Sequence, residues 1–259
     1  LAYNGVVVAS GSASDVSIVV PSGTYTLNGT LYGVPIPALT VAVPTGEVAS
    51  VVVPVGRLSV SFAGGLTPSS YTLTLSYNGK TIASGTTSDV SLILPPGTYT
   101  LTGTVSGVAL SPITVTVTEA TTTTTTIPVG ELVVSVYSLN GVQLTGATVS
   151  VSYSGTTIAS GVGSLSLIVP AGSYTISATA YGVSNSTTVS VSSGVVTPVR
   201  MIVPISGYII NGVFVPLSTI ILTAIIVLIV IIIIVVLLIE YSNWRRRRLA
   251  GGLFGPGAK

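Results

Sequence analysis

Between the first residues and Ile202 the chain alternates apolar and hydroxyl-bearing side chains in short bursts, and then it changes character completely. Around the middle, Val90, Leu92 and Leu94 share one parity. After the turn Pro95-Pro96-Gly97, Tyr99, Leu101 and Val105 take one side while Thr98, Thr100, Thr102 and Thr104 take the other. Ile113, Val115 and Val117 repeat the pattern. A period of two places alternate side chains on opposite faces of a pleated strand, so each burst predicts a strand with one buried face. From Arg57 onward about seven such strands fit into roughly 74 residues, joined by Asn-Gly, Pro and Gly turns, a density that predicts an immunoglobulin-like or transthyretin-like β-sandwich. The fold class expected is therefore mostly β, with tandem sandwiches.

The pattern is itself repeated. LAYNGVVVASGSASDVSIVVPSGTYTLNGTLYGV at 1–34 aligns without a gap onto LSYNGKTIASGTTSDVSLILPPGTYTLTGTVSGV at 75–108. A third copy, VSYSGTTIASGVGSLSLIVPAGSYTISATAYGV, runs from Val151 to Val183. Each copy ends in a related phrase, VVVPVG at 51–56, TTIPVG at 125–130 and MIVPISG at 201–207. This predicts repeats at 1–56, 57–130 and 131–207. The threonine run at 121–126 has a mucin-like composition, but it aligns with the Val-rich stretch Glu47–Val52 and is read as a strand. The first copy has no counterpart of RLSVSFAGGLTPSSYTLT at 57–74, so it is N-terminally incomplete and lacks what is taken as an edge strand, equivalent to Leu58–Phe62 and Leu132–Val136. Upstream residues, or a strand added from a neighbouring molecule, are the two ways to fill that gap. Leu1–Tyr3 is accordingly expected to be paired on both sides or packed on another chain.

At Leu217 the alternation stops. Leu217 to Ile239 is a run of 23 residues without a charge. As a helix it extends about 34 Å at about 1.5 Å per residue, enough for a hydrocarbon core of about 30 Å. Pro216 suits a first helical turn, Tyr241 and Trp244 suit an interface, and Arg245, Arg246, Arg247 and Arg248 follow. The positive-inside rule assigns these arginines, and the basic tail 240–259, to the cytoplasm and residues 1–216 to the outside. The tail after the arginines, LAGGLFGPGAK, is read as too short and Gly-rich to fold. Because the chain opens on Leu1 rather than Met, a removed or missing N-terminal segment such as a signal peptide is expected. Between repeats and helix, YIINGVFV at 208–215 carries an Asn-Gly hairpin signal, expected to close the third repeat or to form a stiff collar.

Charge narrows the chemistry. Charged residues make up 5% of the chain, and His and Cys are absent, which excludes the common triads, thiol sites and the usual zinc or copper ligand sets. Residues 1–216 hold Asp15, Glu47, Asp89, Glu119 and Glu131 against Arg57, Lys80 and Arg200, so no basic face is available for nucleic acid. Asp15 and Asp89 occupy equivalent turn positions, one per repeat, and one carboxylate is no calcium cage. The expectation is a non-enzyme with no catalytic, cofactor-binding or metal-ligating residues and no cofactor. Tyr25, Tyr99 and Tyr174 recur after the turn glycine; on the inward parity of a strand they read as packed rings with tethered hydroxyls, the alternative being a stacking ladder for a ligand. Asn28-Gly-Thr and Asn185-Ser-Thr are N-glycosylation sequons, the first on an outward strand position and the second in what reads as a polar turn.

The phrases PSGTYTL, PPGTYTL and PAGSYTI, each between apolar strands, resemble carboxypeptidase-regulatory-type or PEGA-type sandwich repeats. With the C-terminal helix and basic stop, the whole is similar to membrane-anchored archaeal cell-surface proteins, S-layer stalk subunits among them. One departure is that no heptad pattern for a coiled coil precedes the membrane. The resemblance implies a membrane-anchored extracellular spacer of the cell envelope, projecting on the order of 80–100 Å if each repeat contributes one strand length. Two rivals stand beside it. One is an accessory subunit covering the extracellular face of a larger membrane complex; the other is an adhesin or filament subunit assembled with itself by strand donation. Partners are then the lipid bilayer and other envelope or membrane-complex proteins.

Overall fold

The computed structural model describes residues 1–12, 17–85, 90–211 and 213–251, without the side chains of Val90 and of residues 248–251. It is mostly β, in several sheets, with one C-terminal helix. Residues 1–56 give β1 (Ala2–Tyr3), β2 (Val6–Val7), β3 (Gly23–Leu31) and β4 (Val34–Val43), which form one sheet in the order β2-β1-β3-β4. The second repeat gives β5 (Gly56–Phe62), β6 (Tyr71–Tyr77), β7 (Lys80–Gly85), β8 (Val90–Leu94), β9 (Gly97–Val105), β10 (Val108–Ala109), β11 (Ile113–Val117) and β12 (Thr122–Ile127). The third gives β13 (Val129–Tyr137), β14 (Thr148–Tyr153), β15 (Thr156–Val162), β16 (Ser164–Pro170), β17 (Gly172–Ala180), β18 (Val183–Val191) and β19 (Val196–Ile202).

Repeats two and three are built alike. One sheet is β12-β5-β8 or β16-β13-β19; the other is β7-β6-β9 with β10 and β11 on the far side of β9, or β15-β14-β17-β18. Inward residues of both sheets meet in one core. Leu58, Val60, Leu94 and Ile127 face Leu73, Leu75, Tyr99 and Val115 in repeat two, and Leu132, Val134, Val169 and Met201 face Val149, Val151, Tyr174 and Ile176 in repeat three. The parity read from the sequence selects these residues, because a strand with one face in a core must bury every second side chain. The threonine run is a strand too. β12 pairs in parallel with β5 from Thr122↔Arg57 to Ile127↔Phe62, and its threonines suit it through their β-branched side chains.

The first repeat differs from the expected sandwich: its described residues form a single sheet. The reason lies in the position of the missing strand. β5 and β13 are not edge strands; each is the centre of its three-stranded sheet, antiparallel to β8 or β16 on one side and parallel to β12 or β19 on the other. Among the described residues of the first repeat no strand corresponds to that centre. Residues 17–20 and 47–52 are accordingly outside any strand, with Val19, Val48 and Val52 exposed. Ala2–Tyr3 is nonetheless paired on both sides, by β2 and β3.

The last elements are β20 (Gly207–Ile210), β21 (Val213–Pro216) and the helix α1 (Leu217–Gly251). The β20–β21 hairpin forms where Asn211 takes a left-handed turn position, φ 51°. It pairs with itself and with neither sheet of repeat three, so the hairpin is a collar and does not close the sandwich. α1 is long and apolar enough to cross a bilayer. Its most apolar stretch has a mean hydropathy of 3.9, and none of that stretch is buried against protein. The helix outlasts the apolar run, passing through Glu240 and the arginines and taking in Leu249–Gly251, the first three residues of the stretch read as too short to fold; the rest of that stretch lies outside the described residues. Glu and Arg are good helix formers, and cations in the last turns complement the helix dipole, so nothing ends the helix at the bilayer boundary.

Candidate functional site: the junctions and the membrane anchor

The two-residue turns decide how one repeat meets the next. In the β6–β7 and β14–β15 hairpins, Asn78-Gly79 and Ser154-Gly155 take left-handed angles at both positions, which matches the twist of the flanking strands. The turns after β3, β9 and β17 have the same geometry, but their first residues are Tyr32, Ser106 and Tyr181, with φ of 51°, 50° and 50°. A tyrosine there costs on the order of 1–3 kcal/mol of backbone strain, which surrounding contacts must offset. These strained turns are the junctions. Val34, the residue after the first, is 0% exposed and sits in the core of repeat two. Val108, after the second, is 2% exposed and sits in the core of repeat three. Ser106 Oγ of the same turn donates to Ile168 O across the junction at 2.7 Å. After the third turn, Tyr181 stacks on Phe214 of the collar, ring centroids 5.5 Å apart, and its hydroxyl donates to Phe214 O at 2.9 Å. The first two repeats thus seat the residue after this turn in the core of the next, whereas the third lays an exposed Tyr181 against the collar and keeps Val183 on its own core.

The connecting phrases hold the other side of each junction. Gly56, Gly130 and Gly207 end VPVG, IPVG and VPISG, and each lies against backbone of the unit it opens: Thr118 O, Ser192 O and Val215 O respectively. No side chain fits at any of the three. Repeat three is also tied to the collar below it. Leu139 N–H donates to Ile205 O at 2.9 Å, and Asn140 Nδ2 donates to Gly207 O. Ser138, the one buried polar side chain among the described residues, braces that loop by donating to Asn140 Oδ1 at 2.7 Å.

The recurring tyrosines are structural. Tyr25, Tyr99 and Tyr174 are buried and donate to Pro21 O, Pro95 O and Pro170 O at 2.7, 2.6 and 2.7 Å. Each is covered by a second ring, Tyr3, Tyr77 or Tyr153, at centroid distances of 5.2, 5.4 and 5.3 Å. Burial pushes the Tyr99 phenol up to about 12, with nearby Tyr77 adding to the shift, and pushes Tyr174 in the same direction with Tyr153 adding. The unfolded chain ionises these phenols near pH 10 while the folded chain keeps them neutral. Stability from this source is therefore full below pH 10 and falls as pH rises from about 10 toward 12. Thermal melts should show a steep alkaline loss there, and Tyr99→Phe/Tyr174→Phe chains should show a shallower one. Equal slopes would mean that these phenols are not the titrating groups.

The remaining sequence-derived positions are dispersed. Asn28 is exposed at a bulge in β3, on the outward parity expected. Asn185 lies within strand β18 and not in a turn, and its Nδ2 donates to Ile202 O at 2.7 Å, bridging the two sheets of repeat three. A sugar on Nδ2 would crowd that bridge, so the two sequons are sterically unequal. Tyr241 and Trp244 lie on α1 with ring centroids 6.0 Å apart, and Arg245, Arg246 and Arg247 extend from the same helix. Asp15, Asp89 and the Arg248 side chain are outside the described residues. The acidic groups that are described stand apart; Glu131 accepts from Ser166 Oγ at 2.7 Å, and no three carboxylates gather among the described residues.

No family model and no curated protein matches the sequence. Solved structures with similar parts do exist. The Bacillus anthracis TIE protein is 17% identical over 70% of this chain and 41% of its own, TM-score 0.25. The minor pilin GBS52 of Streptococcus agalactiae is 12% identical over 60% of this chain and 99% of its own, TM-score 0.26. The C-terminal fragment of the pilus adhesin SpaC from Lactobacillus rhamnosus GG is 12% identical over 61% of this chain and 100% of its own, TM-score 0.23. The chain therefore spans about two fifths of the length of the Bacillus anthracis protein.

Proposed function

We propose that this chain is a membrane-anchored structural spacer of the cell envelope, of the archaeal S-layer-stalk type, with its repeats outside and the arginines inside, and that it has no enzymatic activity. The observation that carries the proposal is the repeated junction: Val34 and Val108 are buried in the core of the repeat that follows, and the Tyr181 turn holds the collar by a ring contact and a hydrogen bond. A spacer has to transmit position from membrane to partner. Units joined by buried plugs do so, whereas units on flexible linkers do not. Burying one valine contributes about 1.5–3 kcal/mol, enough to keep a junction closed most of the time.

The chain has no cysteine, so pairs of nitroxides can be placed at will. Labels on exposed Thr98 and Thr187 should give a narrow distance distribution in nanodiscs, and Val108→Asp should broaden it. A broad distribution in the unaltered chain would count against a spacer; no broadening in the variant would count against the plug. Protease added to intact cells should remove the repeats, and trimming of the arginine end instead would invert the topology. Co-purification in mild detergent separates the roles, because a spacer stays with an envelope lattice and an accessory subunit stays with polytopic partners. The filament reading has one observation of its own, the single sheet of the first repeat with Val48 and Val52 exposed beside it. It requires a detergent-resistant ladder of species that the spacer reading does not.

A further inference from the structure

We infer that the β20–β21 hairpin is a second membrane contact, an apolar finger lying in the headgroup layer at the Leu217 end of the span. This rests on reading α1 as a bilayer helix. In a hairpin beside water, side chains alternate and at most one face is apolar. Here the residues are apolar on both faces. Tyr208, Ile209, Ile210 and Val213 are 61%, 61%, 47% and 62% exposed, about as open as Ile229 at 50% in the middle of the helix.

The hairpin's direction agrees. Leu217 N–H donates to Ser206 O at 2.7 Å, so the helix begins beside the base of the hairpin. Ile210, next to the tip, and Val215, next to the base, share a shallow groove with Thr219 and Thr223 of the helix. Hairpin and helix thus point the same way. The aromatic inventory agrees as well. Tyr241 and Trp244 mark one end of the span, but α1 has no aromatic residue at the other. Tyr208 of the hairpin, exposed beside the start of the helix, stands where that belt belongs. The finger cannot go deep, because a two-stranded ribbon has unpaired backbone along both edges that hydrocarbon would leave unsatisfied. The occupant of this surface is lipid, continuous with the lipid around the helix.

The test uses the full chain in phosphatidylcholine vesicles, with single nitroxides at Ile210, at Ile233 in the span and at exposed Thr156 in repeat three. Collision with oxygen is compared with collision with a water-soluble nickel chelate. The Ile210 label should read about 5–10 Å below the phosphates, Ile233 deep in the core and Thr156 in water. A Tyr208→Ser/Ile209→Ser chain should return the Ile210 label toward the aqueous value with Ile233 unchanged. If Ile210 reads like Thr156 while Ile233 stays deep, the finger is wrong and the anchor stands. If Ile233 reads aqueous, both fall. An Ile210 depth indifferent to the double substitution would also overturn the inference, since apolar contact would not be what holds it.

Discussion

Replacing Val134 by proline is expected to unfold repeat three while leaving repeat two intact. Val134 is fully buried and sits at the middle of β13, opposite Leu165 on one side and Val199 on the other. Proline in a central strand removes a ladder donor and forces the ribbons apart. The orphaned acceptor costs about 1–3 kcal/mol and the damaged packing a similar amount. A total of about 4 kcal/mol is most of what a small unit possesses at the lower end of the usual 5–15 kcal/mol. The first repeat shows where this leads. It has no centre strand among its described residues, and the flanking segments do not form strands at all. Hydrogen exchange should find β16 and β19 unprotected in the variant and β5 to β12 still protected. Preserved protection in β16 would refute the central role given to β13.

Gly130→Val is expected to give the second largest loss. The new side chain would fall on Ser192 O and within 2.6 Å of Val191 Cγ1, where one obstacle is backbone and cannot rotate away. Overpacking of this kind costs about 1–3 kcal/mol, and the upper figure fits a clash with main chain. For a unit of this size that lowers Tm by roughly 10–20 °C. Gly146→Ala supplies the contrast. Its Cβ meets nothing within 4 Å, and its backbone is not in the left-handed region. A scan in which both substitutions melt alike would show that the junction glycine is there for chain flexibility and not for close approach.

Both effects come from what the chain's pattern leaves open. The sequence by itself determined the mostly-β class, the buried parity of the strands in the second and third copies, and where the apolar helix lies. Parity of two and uninterrupted hydropathy are local properties, readable from neighbours a few residues apart. The threonine strand was legible by alignment for the same reason, since its sister in the first copy is Val-rich. The tertiary structure decided who pairs with whom. That β5 and β13 are centres follows from their parallel pairing with β12 and β19, strands more than sixty residues away in each case. No local pattern encodes that contact, so a missing centre strand looked like a missing edge. Likewise Val34 and Val108 have the same parity as any inward residue, and only the packed chain shows that the core receiving them belongs to the following repeat. Asn185 read as a turn because it stands among Ser and Thr, but pairing with β17 makes those polar residues the exposed side of a strand. Two apolar faces on an eight-residue hairpin were visible from the start; their meaning required the helix beside them.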